Sequence, residues 1–217
     1  MRNLLLKEIK LSSSIIVYLF MLFGLLFFVP GYPILCGVIF STLGIFKSFE
    51  YAREANDIVF SSVLPVSRKD IVKGRYCFVC LIELGTLLLM SVITLLRMTL
   101  FVDSPAYRNN FMMNANMFAI GAAFVIFALF NIIFVRGFFK TAYKTGKPFL
   151  IYMIIAFIFV CIFETLHHIP GLSLLNSFGF ENMTSQILLL ITGIVIWILM
   201  TLVSYKKACN LFNKIDI

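Results

Sequence analysis

Six long apolar stretches decide what this chain can become, because a helix needs about 20 mainly apolar residues to cross a bilayer. They lie at about 12–29, 32–49, 76–101, 115–135, 149–167 and 185–205 of the 217 residues. Inside hydrocarbon every backbone N–H and C=O must be satisfied within the structure, so these stretches must be helices. They are too long, and too evenly apolar, to be strands of a membrane barrel. With 61% hydrophobic and 13% charged residues, the chain carries about half the charge of a soluble domain. The expected fold class is all-α: a polytopic membrane protein with six transmembrane helices in a single domain over 1–217.

Charge placement gives the expected orientation. Sixteen of the eighteen Lys and Arg fall before the first stretch, at the end of the second or between it and the third, between the fourth and fifth, or after the sixth. Only Arg97 and Arg108 fall on the other side. The positive-inside rule then puts both termini in the cytoplasm. The net charge of +8 is thus a topology signal, and no nucleic acid is needed as a partner to explain it.

The first apolar core is long for a cleaved signal, no small-residue cleavage site follows it, and it runs through Pro30-Gly31 into the next stretch. The two read as a retained hairpin. Before them, Asn3, Lys7, Lys10 and Ser14 share one helical face and Leu5, Leu6 and Ile9 the other. Such a helix should lie along the membrane surface, with its lysines near anionic headgroups of the lipids. The five cysteines (Cys36, Cys77, Cys80, Cys161, Cys209) sit in or beside apolar segments and read as packing residues, not a disulfide framework.

Residues 50–75 form a polar island between the second and third stretches. From Glu50 to Ser62 a polar face of Glu50, Arg53, Glu54, Asp57 and Ser61 opposes Tyr51, Ala55, Ile58, Val59 and Ser62, which predicts an amphipathic helix outside the bilayer. Leu64-Pro65 should end it, since the residue before a proline disfavours the α region. Ser67-Arg68-Lys69-Asp70 then reads as a capping box, with Ser67 as N-cap and Val66 and Ile71 as the hydrophobic staple. Arg68 and Lys69 fall in the first turn, where the helix dipole disfavours cations. Lipid phosphate or an acidic partner surface is the expected compensation.

Three ionisable residues are embedded, Glu83, Arg97 and Glu164. Such groups normally face a bundle interior or a water path, which makes them candidates to line a translocation path. Arg97 and Glu164 both approach the outer ends of their stretches, within reach of pairing. Glu164-x-x-His167 has metal-ligand spacing on a helix face, but a catalytic metal needs three protein ligands. An interfacial polar cap is the better reading. No G-x-S-x-G or G-x-x-x-x-G-K-[ST] motif is present, so the chain is read as a non-catalytic subunit without a cofactor of its own.

At the island the sequence resembles the permease subunits of type 2 ATP-binding-cassette (ABC) transporters, in particular small bacterial six-span permeases. The resemblance rests on Glu54, Asn56 and Asp57, Leu64-Pro65, Ser67-Arg68, and Ile71-Val72 leading to Arg75. It implies an N-terminal elbow helix, a coupling helix in 50–75 that docks on a separate ATPase carrying ATP and magnesium, and a partly re-entrant segment at 169–183. Glu50, Arg53, Glu54, Asn56, Asp57, Leu64, Pro65, Ser67, Arg68, Lys69 and Asp70 become the expected coupling residues. Relatives of this kind export amphipathic or antimicrobial peptides such as phenol-soluble modulins, which implies a bacterial plasma-membrane exporter. Six spans make a small pore wall, so a homodimer, or a heterodimer with a related permease, would enclose the path. The competing reading is a stand-alone channel, carrier, or scaffold and immunity protein, with no ATPase partner.

Overall fold

The computed structural model describes residues 2–63 and 65–215. Leu64, half of the expected Leu64-Pro65 break, and the side chains of Asn3 and Leu11 lie outside the described residues. All regular structure among the described residues is helical. Helix α1 (Arg2–Lys7) runs into a π-helical turn (Glu8–Ser12), and the chain then bends by 87° before the next helix. The bend has the form of an elbow, and the segment is called the elbow. Ser14 caps α2 (Ile15–Met21), its hydroxyl accepting the Ile16 N–H at 3.4 Å.

α2 continues as a 3₁₀ helix (Leu22–Phe28). At about 1.5 Å per α residue and 2.0 Å per 3₁₀ residue, the pair is about 25 Å long. It packs against α3 (Cys36–Glu54), the second arm of the hairpin. α3 is long enough to cross a bilayer, at about 28 Å, but it carries Lys47, Glu50, Arg53 and Glu54 in its last two turns. After the short α4 (Asp57–Val63) comes α5 (Arg68–Thr99), whose start is the predicted Ser67. A single turn, α6 (Pro105–Arg108), leads to α7 (Met117–Phe130), which passes through a π-helical turn (Asn131–Val135) into α8 (Arg136–Phe138). α9 (Gly146–Leu166) and α10 (Met183–Phe212) complete the bundle, with a 3₁₀ turn (Ser173–Asn176) between them.

By length and composition four helices are able to cross a membrane: α5, the α7–α8 run, α9 and α10. The count reaches five if the bent N-terminal pair is one span. Of the six expected stretches, 32–49 does not qualify, because its helix begins only at Cys36 and takes on charge at Lys47.

The α7 run is the central helix, with 78% of its apolar window buried, whereas α9 and α10 each bury 17% and turn most of their apolar surface outward. Around α7 lies an aromatic core in which Phe46 stacks on Phe149 at 3.9 Å and Phe49 meets Phe134 and Phe138 edge-on at 5.0 and 4.9 Å. Edge-to-face and offset pairs stabilise beyond the area they bury, by about 0.5–1.5 kcal/mol each.

α7 and α10 cross at two glycines. A Cβ on Gly193 would lie 2.8 Å from the Gly121 Cα, and one on Gly121 would lie 2.9 Å from the Leu189 carbonyl oxygen. Without a hydrophobic drive between helices in lipid, close backbone approach through small residues supplies much of the packing. Gly193→Leu should therefore force the pair apart and cost about 1–3 kcal/mol or more. Thermal unfolding in detergent would show it as a lower midpoint; an unchanged midpoint would mean the two helices do not cross there.

Candidate functional site

Within the polar island, residues 50–62 fold differently from the single helix their pattern suggests. Glu50, Arg53 and Glu54 belong to the last turns of α3, and a new helix starts at Asp57. The break is at Asn56, whose φ of 51° is the left-handed conformation that ends helices and that asparagine tolerates better than most residues. Beyond Pro65 the capping box forms as expected. Ser67 Oγ accepts the Asp70 N–H at 3.1 Å, and the Ser67 hydroxyl donates to Asp70 Oδ2 at 2.6 Å. The shorter aspartate thus takes the hydroxyl instead of the N-cap N–H that a glutamate would reach.

The faces of α4 depart from the expected arrangement, although Ile58 does pack against the core. Ser61 is buried, and Lys7 Nζ reaches in from the elbow to donate to Asp57 Oδ2 at 2.7 Å and Ser61 Oγ at 2.8 Å. Lys7 therefore meets Asp57, not a lipid headgroup; Lys10 remains exposed. Outward instead point Val59, Phe60 and Val63, which are 52%, 61% and 82% exposed. Beside Asp57, the end of α3 is tied sideways: Arg53 Nη1 donates to the buried Thr145 Oγ1 at 3.0 Å, and Lys47 pairs with Glu50 at 2.7 Å.

The Lys7 contact continues inward. Lys7 also reaches Glu8 Oε1 at 3.3 Å, and Glu8 Oε2 accepts from Arg75 Nη1 at 2.6 Å. The Arg75 guanidinium lies over the Phe49 ring at 4.5 Å. Glu8 and Arg75 are each 4% exposed. Asp57, Lys7, Glu8 and Arg75 thus form one chain of charges linking α4, the elbow and α5. The sequence reading singled out Lys7, Asp57 and Arg75 for other reasons and passed over Glu8. Lys7 and Glu8 are neighbours, but Asp57 lies 50 residues from Lys7 and Arg75 lies 67 from Glu8, and no local pattern joins them.

Arg68 has its own partners. Its Nη1 donates to the carbonyls of Phe212, Asn213 and Ile215, at 3.4, 3.3 and 2.6 Å, where α10 ends. The compensation expected from lipid phosphate or a partner's acidic surface comes from the negative end of a helix in the same chain. Glu54, Asn56, Pro65, Ser67 and Lys69 remain exposed, and Asp70 is half-buried beside Ser67.

Within the bundle Glu83 is fully buried. Its Oε2 accepts from Trp197 Nε1 at 2.9 Å and from Asn131 Nδ2 at 3.1 Å. Asn131 opens the π-helical turn of α7, a distortion frequent at functional positions. Its Nδ2 also donates to Thr201 Oγ1 at 3.0 Å, while its carbonyl accepts from the Ser204 hydroxyl, which is 2.7 Å from Tyr76 OH. A polar seam therefore runs between α5, α7 and α10.

At the other end of the bundle Arg97 and Glu164 do not pair. Arg97 donates to the Phe27 carbonyl at 2.7 Å and to Asn114 Oδ1 at 3.3 Å, and it covers the Tyr107 ring at 4.2 Å. Phe27 stands at the carbonyl end of the 3₁₀ helix, so a helix terminus again holds the cation. Glu164 Oε2 accepts the Met113 N–H at 3.0 Å, and His167 Nε2 lies 3.4 Å from the Phe111 carbonyl. Both residues hold the loop after α6. The expected re-entrant segment packs against the same loop, through Asn116 Nδ2 to the Leu175 and Ser177 carbonyls and Asn114 N–H to Asn176 Oδ1.

A multi-helix bundle with lipid-length apolar helices and a polar end is a multi-pass membrane protein. The sequence profile of the ABC-2 family transporter proteins matches residues 3–213, so this chain belongs to that family. Its members are membrane transport subunits, generally non-catalytic, and the family implies an ABC ATPase as partner. No curated protein and no solved structure matches the chain.

Removing one partner of a buried ion pair leaves an uncompensated charge, at a cost of about 3–5 kcal/mol. Arg75→Met should accordingly lower the thermal midpoint of the detergent-solubilised protein steeply. Arg75→Met combined with Glu8→Leu should recover most of that loss. No recovery in the double variant would show that Arg75 acts through something other than Glu8.

Proposed function

We propose that this chain is the permease subunit of an ABC exporter in a bacterial plasma membrane. In this reading the α2–3₁₀ segment and α3 act as two further crossings beside the four long helices. That gives six, with both termini in the cytoplasm as the charge asymmetry supports. Two permeases, identical or related, enclose the path. Amphipathic or antimicrobial peptides are the proposed cargo, on the strength of the resemblance at the island.

The observation that carries the reading is the outward face of α4. Val59, Phe60 and Val63 are exposed on a short helix at the charged end of the bundle, where apolar side chains gain nothing from water. An ATPase surface would cover them, with Glu54, Asn56 and Lys69 at the rim. ATP and magnesium belong to that partner. Asp57 and Arg68, expected as contacts, instead hold α4 and the start of α5 in position, so a stroke on α4 would pass to the elbow and to α10.

Phe60→Asp with Val63→Asp leaves the internal contacts of α4 intact and should not disturb insertion. Co-isolation of an ABC ATPase with the affinity-purified permease from its native membrane should fall about 30-fold, as for loss of an interface hot spot. Undiminished co-isolation would remove α4 as the docking face. A wild-type protein that never brings down an ATPase would favour the stand-alone channel, carrier or immunity protein.

A further inference from the structure

We propose that the basic pocket between α8 and the start of α9 binds the phosphate of an anionic phospholipid from the leaflet it borders. Arg136, Lys140, Lys144 and Lys147 line a cavity of about 500 Å³ together with Ile133 and Ile151, and no carboxylate is among its walls. Among the described residues none of these four cations is in an ion pair. The inward-facing cations at this end of the bundle are answered within the chain, Lys7 by Asp57, Arg75 by Glu8 and Arg68 by carbonyls. Four unanswered like charges around one cavity call for an anion.

Local structure builds the pocket. Gly137 of α8 lies so close to α9 that a Cβ there would be 2.9 Å from Pro148 Cβ, which brings the two walls together. The connecting turn is closed by Ala142 at a φ of 53°, a left-handed conformation unusual for alanine. Lys147 sits in the first turn of a 21-residue helix, where free N–H groups and the helix dipole favour an anion and disfavour a lysine. A phosphate bound there satisfies both.

The apolar walls distinguish a lipid from a free anion. Ile151 continues along α9 into Ile154 and Ile158, all about half exposed at helical spacing. This strip leads from the pocket toward the middle of the membrane, the course an acyl chain takes below its headgroup. Basic pockets between helices at a membrane surface recognise anionic headgroups in this way. A zwitterionic headgroup brings its own cation into the cluster and is disfavoured.

The test is native mass spectrometry of the full-length protein in detergent, with phosphatidylglycerol, phosphatidylcholine or inorganic phosphate added. Wild type should retain phosphatidylglycerol in preference to phosphatidylcholine, and millimolar inorganic phosphate should not displace it. Lys140→Gln with Lys144→Gln, both exposed and free of internal contacts, should weaken retention about 25-fold, at about fivefold per cation. Lys206→Gln with Lys207→Gln, basic residues at the same end but outside the pocket, should leave it unchanged. Equal retention of phosphatidylcholine, or equal losses in the two double variants, would overturn the site in favour of diffuse surface charge. Displacement by inorganic phosphate would overturn the lipid and leave a free-anion site.

Discussion

The ammonium of Lys7 is where the charged end of this protein is held together. It has three N–H donors, and Asp57, Ser61 and Glu8 are their acceptors. Through Glu8 the contact reaches Arg75, itself buried over Phe49. Burying Glu8 and Arg75 costs several kcal/mol per ion unless each is paired, and Lys7 and Asp57 are half-buried beside them, so no member can leave without stranding the next. The elements involved have little stability of their own. α1 has six residues and α4 seven, well short of the length at which a helix persists alone in water. Their positions are set by this network and by the burial of Leu5, Ile9 and Ile58 against the core.

A second tie works in parallel. Arg68 fastens the beginning of α5 to the last carbonyls of α10, and α10 crosses the central α7 at the Gly121–Gly193 contact. A displacement of α4 is therefore felt in the elbow through Asp57, in α5 through Glu8 and Arg75, and in α10 through Arg68. Along α5, α7 and α10 the same helices carry the Glu83–Asn131–Trp197 seam. The polar end and the buried seam share a frame of rigid helices. This gives the proposed coupling a physical route, while the apolar face of α4 stays free to meet a partner.

Much of this was legible in the sequence because it rests on local rules. Apolar run length gave the long helices, and Ser67 with Asp70 gave the start of α5 to the residue. The amphipathic pattern before Ile15 gave a surface helix, and the resemblance at the island implied that it is an elbow. What escaped depends on contacts between distant segments. The pattern over 50–62 has helical periodicity throughout, and it masks the one local sign of a break, an asparagine at position 56. Periodicity also identifies two faces of α4 without saying which is inside; water is the default neighbour of Asp57, and only the arrival of Lys7 reverses it. Arg68 and Arg97 looked in need of anionic partners, yet both found the carbonyl end of a helix, a ligand that no side-chain inventory reveals.

The claim that Lys7 and Asp57 act as one unit is tested most directly by a double-mutant cycle. Unfolding free energies would be measured for wild type, Lys7→Ala, Asp57→Ala and the double variant in the same detergent. Residues joined in a network show interaction energies of about 0.5–3 kcal/mol, whereas independent sites add within about 0.3–0.5 kcal/mol. The double variant should therefore lose distinctly less than the two single losses combined. Strict additivity would contradict the account, since it would leave the elbow and α4 neighbours without a working bond between them.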